Sequence, residues 1–67
     1  MKPAFLDLPG TCAYVALSKS QIYKMVAAGE FPKPRQLAAN RVAWLVRELD
    51  EWAEARPVSS ILPVGKG

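Results

Sequence analysis

The sequence has no histidine and a single cysteine, Cys12. Without an imidazole the chain lacks the side chain most used as a general base near neutral pH and as a metal ligand. One thiol cannot close an internal disulfide and is too few for a structural zinc site, so Cys12 reads as a small buried apolar residue. Apolar runs are short: Val42–Val46 is five residues, against the roughly 20 that a membrane-spanning helix needs. Met1–Asp7 carries charge at Lys2 and Asp7 and has no apolar core of the kind a signal peptide needs. No glycine-rich phosphate loop is present. These gaps predict a soluble intracellular, cytoplasmic protein with no cofactor, no metal, no membrane partner and no small-molecule substrate.

What is present fits one small domain. The 67 residues are 51% apolar and 22% charged, which suits a folded globule rather than a disordered segment. A chain of this length buries only about 60% of its unfolded surface. A cavity enclosing a substrate would consume the core, so the reading is a binding protein and not an enzyme.

Charge is segregated along the chain. Lys19, Lys24, Lys33, Arg35, Arg41 and Arg47 face only Glu30 between positions 19 and 47, a local excess of +5. Glu48, Asp50, Glu51 and Glu54 then outweigh Arg56. A basic centre followed by an acidic segment predicts one positive face, with the acidic segment turned away from it, as a polyanion binder requires.

The local signals order the elements. Asp7-Leu8-Pro9 is a helix entry, with proline where no intrahelical N–H is needed and a carboxylate near the positive end of the dipole. Leu8, Cys12 and Val15 share one side of that helix, which Gly10 and Thr11 make weak by propensity. Ser18 is an N-cap with Gln21 three residues on, in the capping-box spacing. The following helix, Lys19–Ala28, turns Ile22, Met25 and Val26 inward, and Gly29 suits a left-handed stop. Only Ala16-Leu17-Ser18 separate the two helices, so they must cross sharply as a helix-turn-helix.

Phe31-Pro32-Lys33-Pro34 cannot continue a helix. Arg35-Gln36-Leu37 and Arg41–Trp44 form a small β-hairpin, joined by Ala38-Ala39-Asn40 with Asn40 as a left-handed turn residue. Val42 and Trp44 share a strand face and pack inward. A last helix opens at Val46 or Arg47 and runs to about Ala55 or Arg56, with Leu49, Trp52 and Ala53 inside and the carboxylates toward water. Pro57 ends it. The fold class is therefore mainly α with a two-stranded wing, a winged helix-turn-helix. Residues 1–56 form the domain and residues 57–67 a flexible tail, in which Ile61-Leu62 is the one docking hint.

Candidate binding residues follow from these positions. Lys19, Ser20, Gln21, Tyr23 and Lys24 are not needed for the core and mix phosphate binders with readers of base edges. Ser20, Gln21 and Lys24 share an outward face near the helix N-terminus, the part of a recognition helix that contacts bases. Lys33, Arg35, Asn40 and Arg41 flank the hairpin, where cations meet phosphates or enter a minor groove. An ordinary solvated helix face and a solubilised sheet edge are the plainer explanations of the same residues. Trp44 and Trp52 fall on core-facing positions, so base stacking by them is the weaker reading.

Leu6-x-Leu8-Pro9, Leu17-Ser18-Lys19-Ser20-Gln21-Ile22-Tyr23, Ala27-Ala28-Gly29-Glu30-Phe31-Pro32-Lys33-Pro34, Val42-Ala43-Trp44-Leu45 and Leu49-Asp50-Glu51-Trp52 together resemble the AlpA family of prophage regulators. That family belongs with the winged-helix excisionase and MerR-like DNA-binding proteins, and the resemblance runs from about Leu6 to Arg56. It implies sequence-specific binding of double-stranded DNA by a phage or prophage transcriptional regulator or excisionase. By position it implies Lys19, Ser20, Gln21 and Lys24 on the recognition helix, Tyr23 on its flank, and Lys33, Arg35, Asn40 and Arg41 on the wing. The chain departs from the family at Gly10, where an acidic residue is usual, at Ala16, where glycine is frequent, and at Arg47, where a small polar cap is usual. A module this small reads few base pairs, so binding beside further copies of itself is expected. The rival reading is a protein-interaction module whose acidic last helix and tail contact an integrase or host factor.

Overall fold

The computed structural model describes residues 2–61. The elements run β1 (Phe5–Leu6), α1 (Leu8–Val15), α2 (Lys19–Ala27), β2 (Arg35–Ala38), β3 (Arg41–Leu45) and α3 (Val46–Glu54). The fold is a winged helix-turn-helix: three helices on a small antiparallel sheet of strand order β1-β3-β2. Leu62 and the rest of the tail lie outside the described residues, while Ile61 is exposed.

Each helix end has an identifiable cause. Asp7 caps α1, its carboxylate accepting from the Gly10 N–H at 3.0 Å. Leu8 and Pro9 then fill the first two helical positions, where no intrahelical acceptor is needed. Thr11, a poor helix former, is fully buried, and its hydroxyl donates to the Leu6 carbonyl at 3.3 Å. That bond ties the helix to β1, so packing compensates for weak propensity. Ala16 follows in the left-handed region, at φ 61° and ψ 41°, and turns the chain into α2.

Ser18 caps α2 by accepting from the Gln21 N–H at 3.2 Å. The reciprocal bond of a capping box, from the Gln21 side chain to the Ser18 backbone, is not formed among the described residues, which leaves the Gln21 amide exposed. At the other end Gly29 adopts φ +75°, Gly29 N–H donates to the Val26 carbonyl and Glu30 N–H to the Met25 carbonyl. These two bonds are a Schellman closure, and glycine supplies the left-handed residue it requires.

The core gathers Ile22, Phe31, Trp44 and Leu49, with Leu6, Leu8, Cys12, Val15, Leu17, Met25, Val26 and Trp52 packed around them. Two indoles fix the linker between α2 and the sheet. Trp44 Nε1 donates to the Pro32 carbonyl at 2.8 Å and Trp52 Nε1 to the Glu30 carbonyl at 2.9 Å. Phe31, between those carbonyls, is buried and meets the Trp52 ring edge-on at 4.7 Å.

Four sequence expectations are corrected. The hairpin has a third partner, because β1 pairs with β3 through Phe5↔Leu45 and Leu6↔Trp44. Val42 is exposed although it alternates with buried Trp44, because it lies toward the hairpin tip, away from the helix junction. On α3 the inner stripe is Val46, Leu49 and Trp52, whereas Ala53 faces water. The helix follows β3 without a gap, and that junction turns Val46 into the core. Asn40 does not take the left-handed conformation; among the described residues Ala16 is the only non-glycine that does. The turn closes instead through a register shift, with Gln36↔Val42 and Ala38↔Arg41 paired and Leu37 unpaired between them.

Candidate nucleic-acid interface

On α2 the buried residue Ile22 fixes which side faces the core. At 100° per residue Ser20 and Lys24 lie opposite Ile22, Gln21 and Tyr23 lie on the two flanks, and Lys19 opens the first turn. All five are exposed, Tyr23 by 55%. The short left-handed turn at Ala16 and the Ser18 cap present this N-terminal part of α2 away from the core.

On the wing, Lys33, Arg35, Asn40 and Arg41 are all exposed. Asn40 and Arg41 sit at the turn, Arg35 at the base of β2, and Lys33 in the linker before it. Gln36 stiffens the tip, its amide donating to the carbonyls of Ala38 and Ala39 at 3.2 and 3.3 Å. Sequence reasoning gives Gln36 no such role, since the bond depends on a bulge that no local signal announces. No hydrogen bond or ion pair among the described residues links the α2 group to the wing group. They are related through the Phe31 linker that the two indoles hold and through the core that Ile22 of α2 shares with Trp44 of β3.

Ion pairing sorts the basic residues into two classes. Lys2 binds Asp50 at 2.6 Å, Arg35 binds Glu48, and Arg47 meets Glu51 at 3.7 Å within α3. Arg56 lies over the Trp52 ring, 5.1 Å from its centre. Lys19, Lys24, Lys33 and Arg41 have no carboxylate partner among the described residues. Apart from Arg56, the cations without a carboxylate partner among the described residues are thus on α2, in the linker and at the wing turn, and the paired carboxylates of α3 are engaged elsewhere. One detail differs from the charge pattern of the sequence. The acidic segment is not wholly turned away, because Glu48 reaches Arg35 and its hydrogen bond and charge raise the Arg35 pKa further.

An open cleft of about 440 Å³ lies between the wing base and α3, lined by Pro32, Lys33, Arg35, Glu48, Glu51 and Trp52. Its walls carry both signs of charge, which does not suit a phosphate. Among the described residues no three His, Cys, Asp or Glu side chains converge as a metal site would need, and no helix is long and apolar enough to cross a membrane.

The family model described as prophage CP4-57 regulatory protein (AlpA) matches residues 5–57. A protein of Enterobacteria phage P4, described as uncharacterized protein ORF88, is 38% identical over 52 residues, which is 78% of this chain. The chain spans 59% of that relative's length. The family match begins at the first residue of β1 and ends at Pro57, beyond the last turn of α3, so it takes in every element of the winged fold. The chain belongs to the AlpA family of prophage regulatory proteins.

Proposed function

We propose that the protein binds double-stranded DNA in a sequence-specific manner, as a transcriptional regulator or an excisionase of a mobile element. The N-terminal half of α2 enters the major groove, and the wing meets the adjacent backbone or minor groove. Ser20, Gln21 and Lys24 read base edges, Tyr23 borders them, and Lys19, Lys33, Asn40, Arg41 and, more weakly, Arg35 position the duplex. The observation that carries this reading is the sorting of charge. Of the five cations without a carboxylate partner among the described residues, four lie on α2, the linker and the wing turn, and the fifth, Arg56, lies over the Trp52 ring. Cations left free of internal partners keep their full charge for phosphates, whose neutralisation releases counterions and dominates affinity.

The test is charge-selective. Duplexes retained from a random pool are titrated with wild type and with Lys24→Ala, Arg41→Ala, Glu51→Ala and Glu54→Ala at several salt concentrations. Each basic substitution is expected to weaken binding and to lower the logarithmic salt slope by about 0.9 for every phosphate that is no longer neutralised. The acidic substitutions leave both unchanged. Equal affinity in all four variants would sink the proposal. Exposed Val58 and Ile61, with Glu51 and Glu54, would then mark α3 and the segment after it as a surface for a protein partner such as an integrase.

A further inference from the structure

Gln21 carries the one side-chain amide on α2, and that amide is exposed and without a hydrogen-bond partner among the described residues. The Gln21 backbone N–H donates to the Ser18 hydroxyl at 3.2 Å, but the side chain does not return to Ser18 as a capping box would have it. The other glutamine, Gln36, has its amide bonded to the carbonyls of Ala38 and Ala39. Asn40 lies in the hairpin turn, off the helix. Gln21 is the third residue of α2, in its first turn. Helical side chains lean toward the helix N-terminus, so the Gln21 amide leans toward the end of α2 that enters the groove. Lys24, three residues on, lies about 60° further round the same exposed side.

The composition of α2 decides which base suits this amide. The helix has no Arg, Asn, Asp or Glu. In the major groove guanine offers two acceptors, cytosine a donor, and thymine an acceptor beside a methyl group. Adenine alone offers an acceptor, N7, beside a donor, N6. Matching it takes a donor and an acceptor side by side on one planar group. Lys19 and Lys24 only donate, and the hydroxyls of Ser20 and Tyr23 act through a single oxygen. Gln21 is the residue of α2 with the required pair. With no carboxylate on the helix, nothing there competes for its amide nitrogen or repels the phosphates on either side.

We infer that Gln21 is a specificity-determining residue: its amide oxygen accepts from N6 of one adenine while its amide nitrogen donates to N7, so the DNA site carries an A·T pair under the first turn of α2. This rests on the DNA-binding reading and deepens it by naming one base that the helix selects. The cap of α2 uses the Ser18 side chain and the Gln21 backbone, so the Gln21 side chain is replaceable without loosening the helix. A carboxylate at this position also suits the positive end of the helix and the capping-box spacing.

The experiment selects duplexes from a random pool at low salt with the full chain, in parallel for wild type, Gln21→Ala and Gln21→Glu, and sequences the retained DNA. Wild type is expected to prefer A·T over the other pairs by about 5–150-fold at one position. Gln21→Ala is expected to keep the melting temperature and the salt slope, since no charge is removed, and to lose the preference at that position alone. Gln21→Glu is expected to melt no lower than wild type and to move the same position toward cytosine, whose N4 donates to a carboxylate. A motif unchanged in Gln21→Ala, or a preference lost at a G·C position, overturns the adenine assignment and leaves DNA binding standing. Weakening of all retained sequences alike makes the amide a phosphate contact and overturns the assignment in the same way. Retention of DNA by wild type without an enriched motif overturns the assignment and the sequence specificity together. Absence of any retained duplex overturns the assignment and the DNA-binding reading with it.

Discussion

Arg35 and Glu48 meet across the seam between β2 and the first turn of α3, a guanidinium nitrogen donating to the Glu48 carboxylate. The pair is half exposed on the Arg35 side and more covered on the Glu48 side. It cancels one cation of the wing while Arg41, at the other end of the hairpin, keeps its charge. Two arginines that look equivalent in the sequence are therefore different electrostatically.

That difference predicts a hierarchy in DNA binding. Arg41→Ala is expected to weaken affinity and flatten the salt dependence, whereas Arg35→Ala changes both much less. Glu48→Gln releases the Arg35 guanidinium and is expected to strengthen binding, with the logarithmic salt slope steeper by up to about 0.9. Its effect on the melting temperature is small, since exposed ion pairs contribute only about 0–1 kcal/mol. Titrations of the three variants at matched salt decide it, and a loss in Arg35→Ala as large as in Arg41→Ala would show that the pair opens on DNA.

Ala16 stores strain at the turn between α1 and α2. An alanine in the left-handed region costs about 1–2 kcal/mol relative to ordinary backbone conformations, and glycine escapes that cost. Part of the gain is lost to the larger freedom of glycine in the unfolded chain. Ala16→Gly is therefore expected to stabilise the domain by about 0.5–1 kcal/mol, raising the melting temperature by a few degrees. Ala16→Val moves it the other way, because a β-branched side chain tolerates this region least. A lower melting temperature in the glycine variant would refute the account.

Which features were legible in the sequence follows from how local their causes are. Ser18 and Gly29 announce α2 because a cap and a left-handed stop act within one turn of the chain. The exposed set on α2 follows from the same helical period that buries Ile22. β1 was not legible: two residues show no period, and their pairing to Leu45 and Trp44 comes from the far end of the chain. Alternation gives Val42 the face of Trp44, but it does not tell how far along the hairpin the helices extend. Arg35 looked like a free wing cation because its partner lies thirteen residues on, across a tertiary seam. The Leu37 bulge depends on register, which composition at Asn40 suggests wrongly.

The last prediction concerns acid. Asp50 on α3 receives two donors from distant parts of the chain, Lys2 Nζ at 2.6 Å and the Tyr14 hydroxyl at 2.7 Å. The hydrogen bond from Lys2, then that from Tyr14, hold the carboxyl below its ordinary value of 3.8, and Asp50 in turn raises the Lys2 ammonium above 10.5. A carboxyl whose folded pKa lies below its unfolded value stabilises the fold above the unfolded value. That contribution is lost as pH falls through the folded one. For Lys2 the sign is opposite: its contribution is present below 10.5 and disappears as pH rises through the higher folded value. Melting temperatures of wild type and Asp50→Asn should therefore differ on the plateau between these limits and converge as pH drops below about 3.8. Lys2→Met should remove part of the same difference and its alkaline edge, while Tyr14→Phe removes part without altering that edge. If the wild-type and Asp50→Asn curves stayed parallel through the acid range, the three side chains would not be acting as one clasp between the N-terminal arm, α1 and α3.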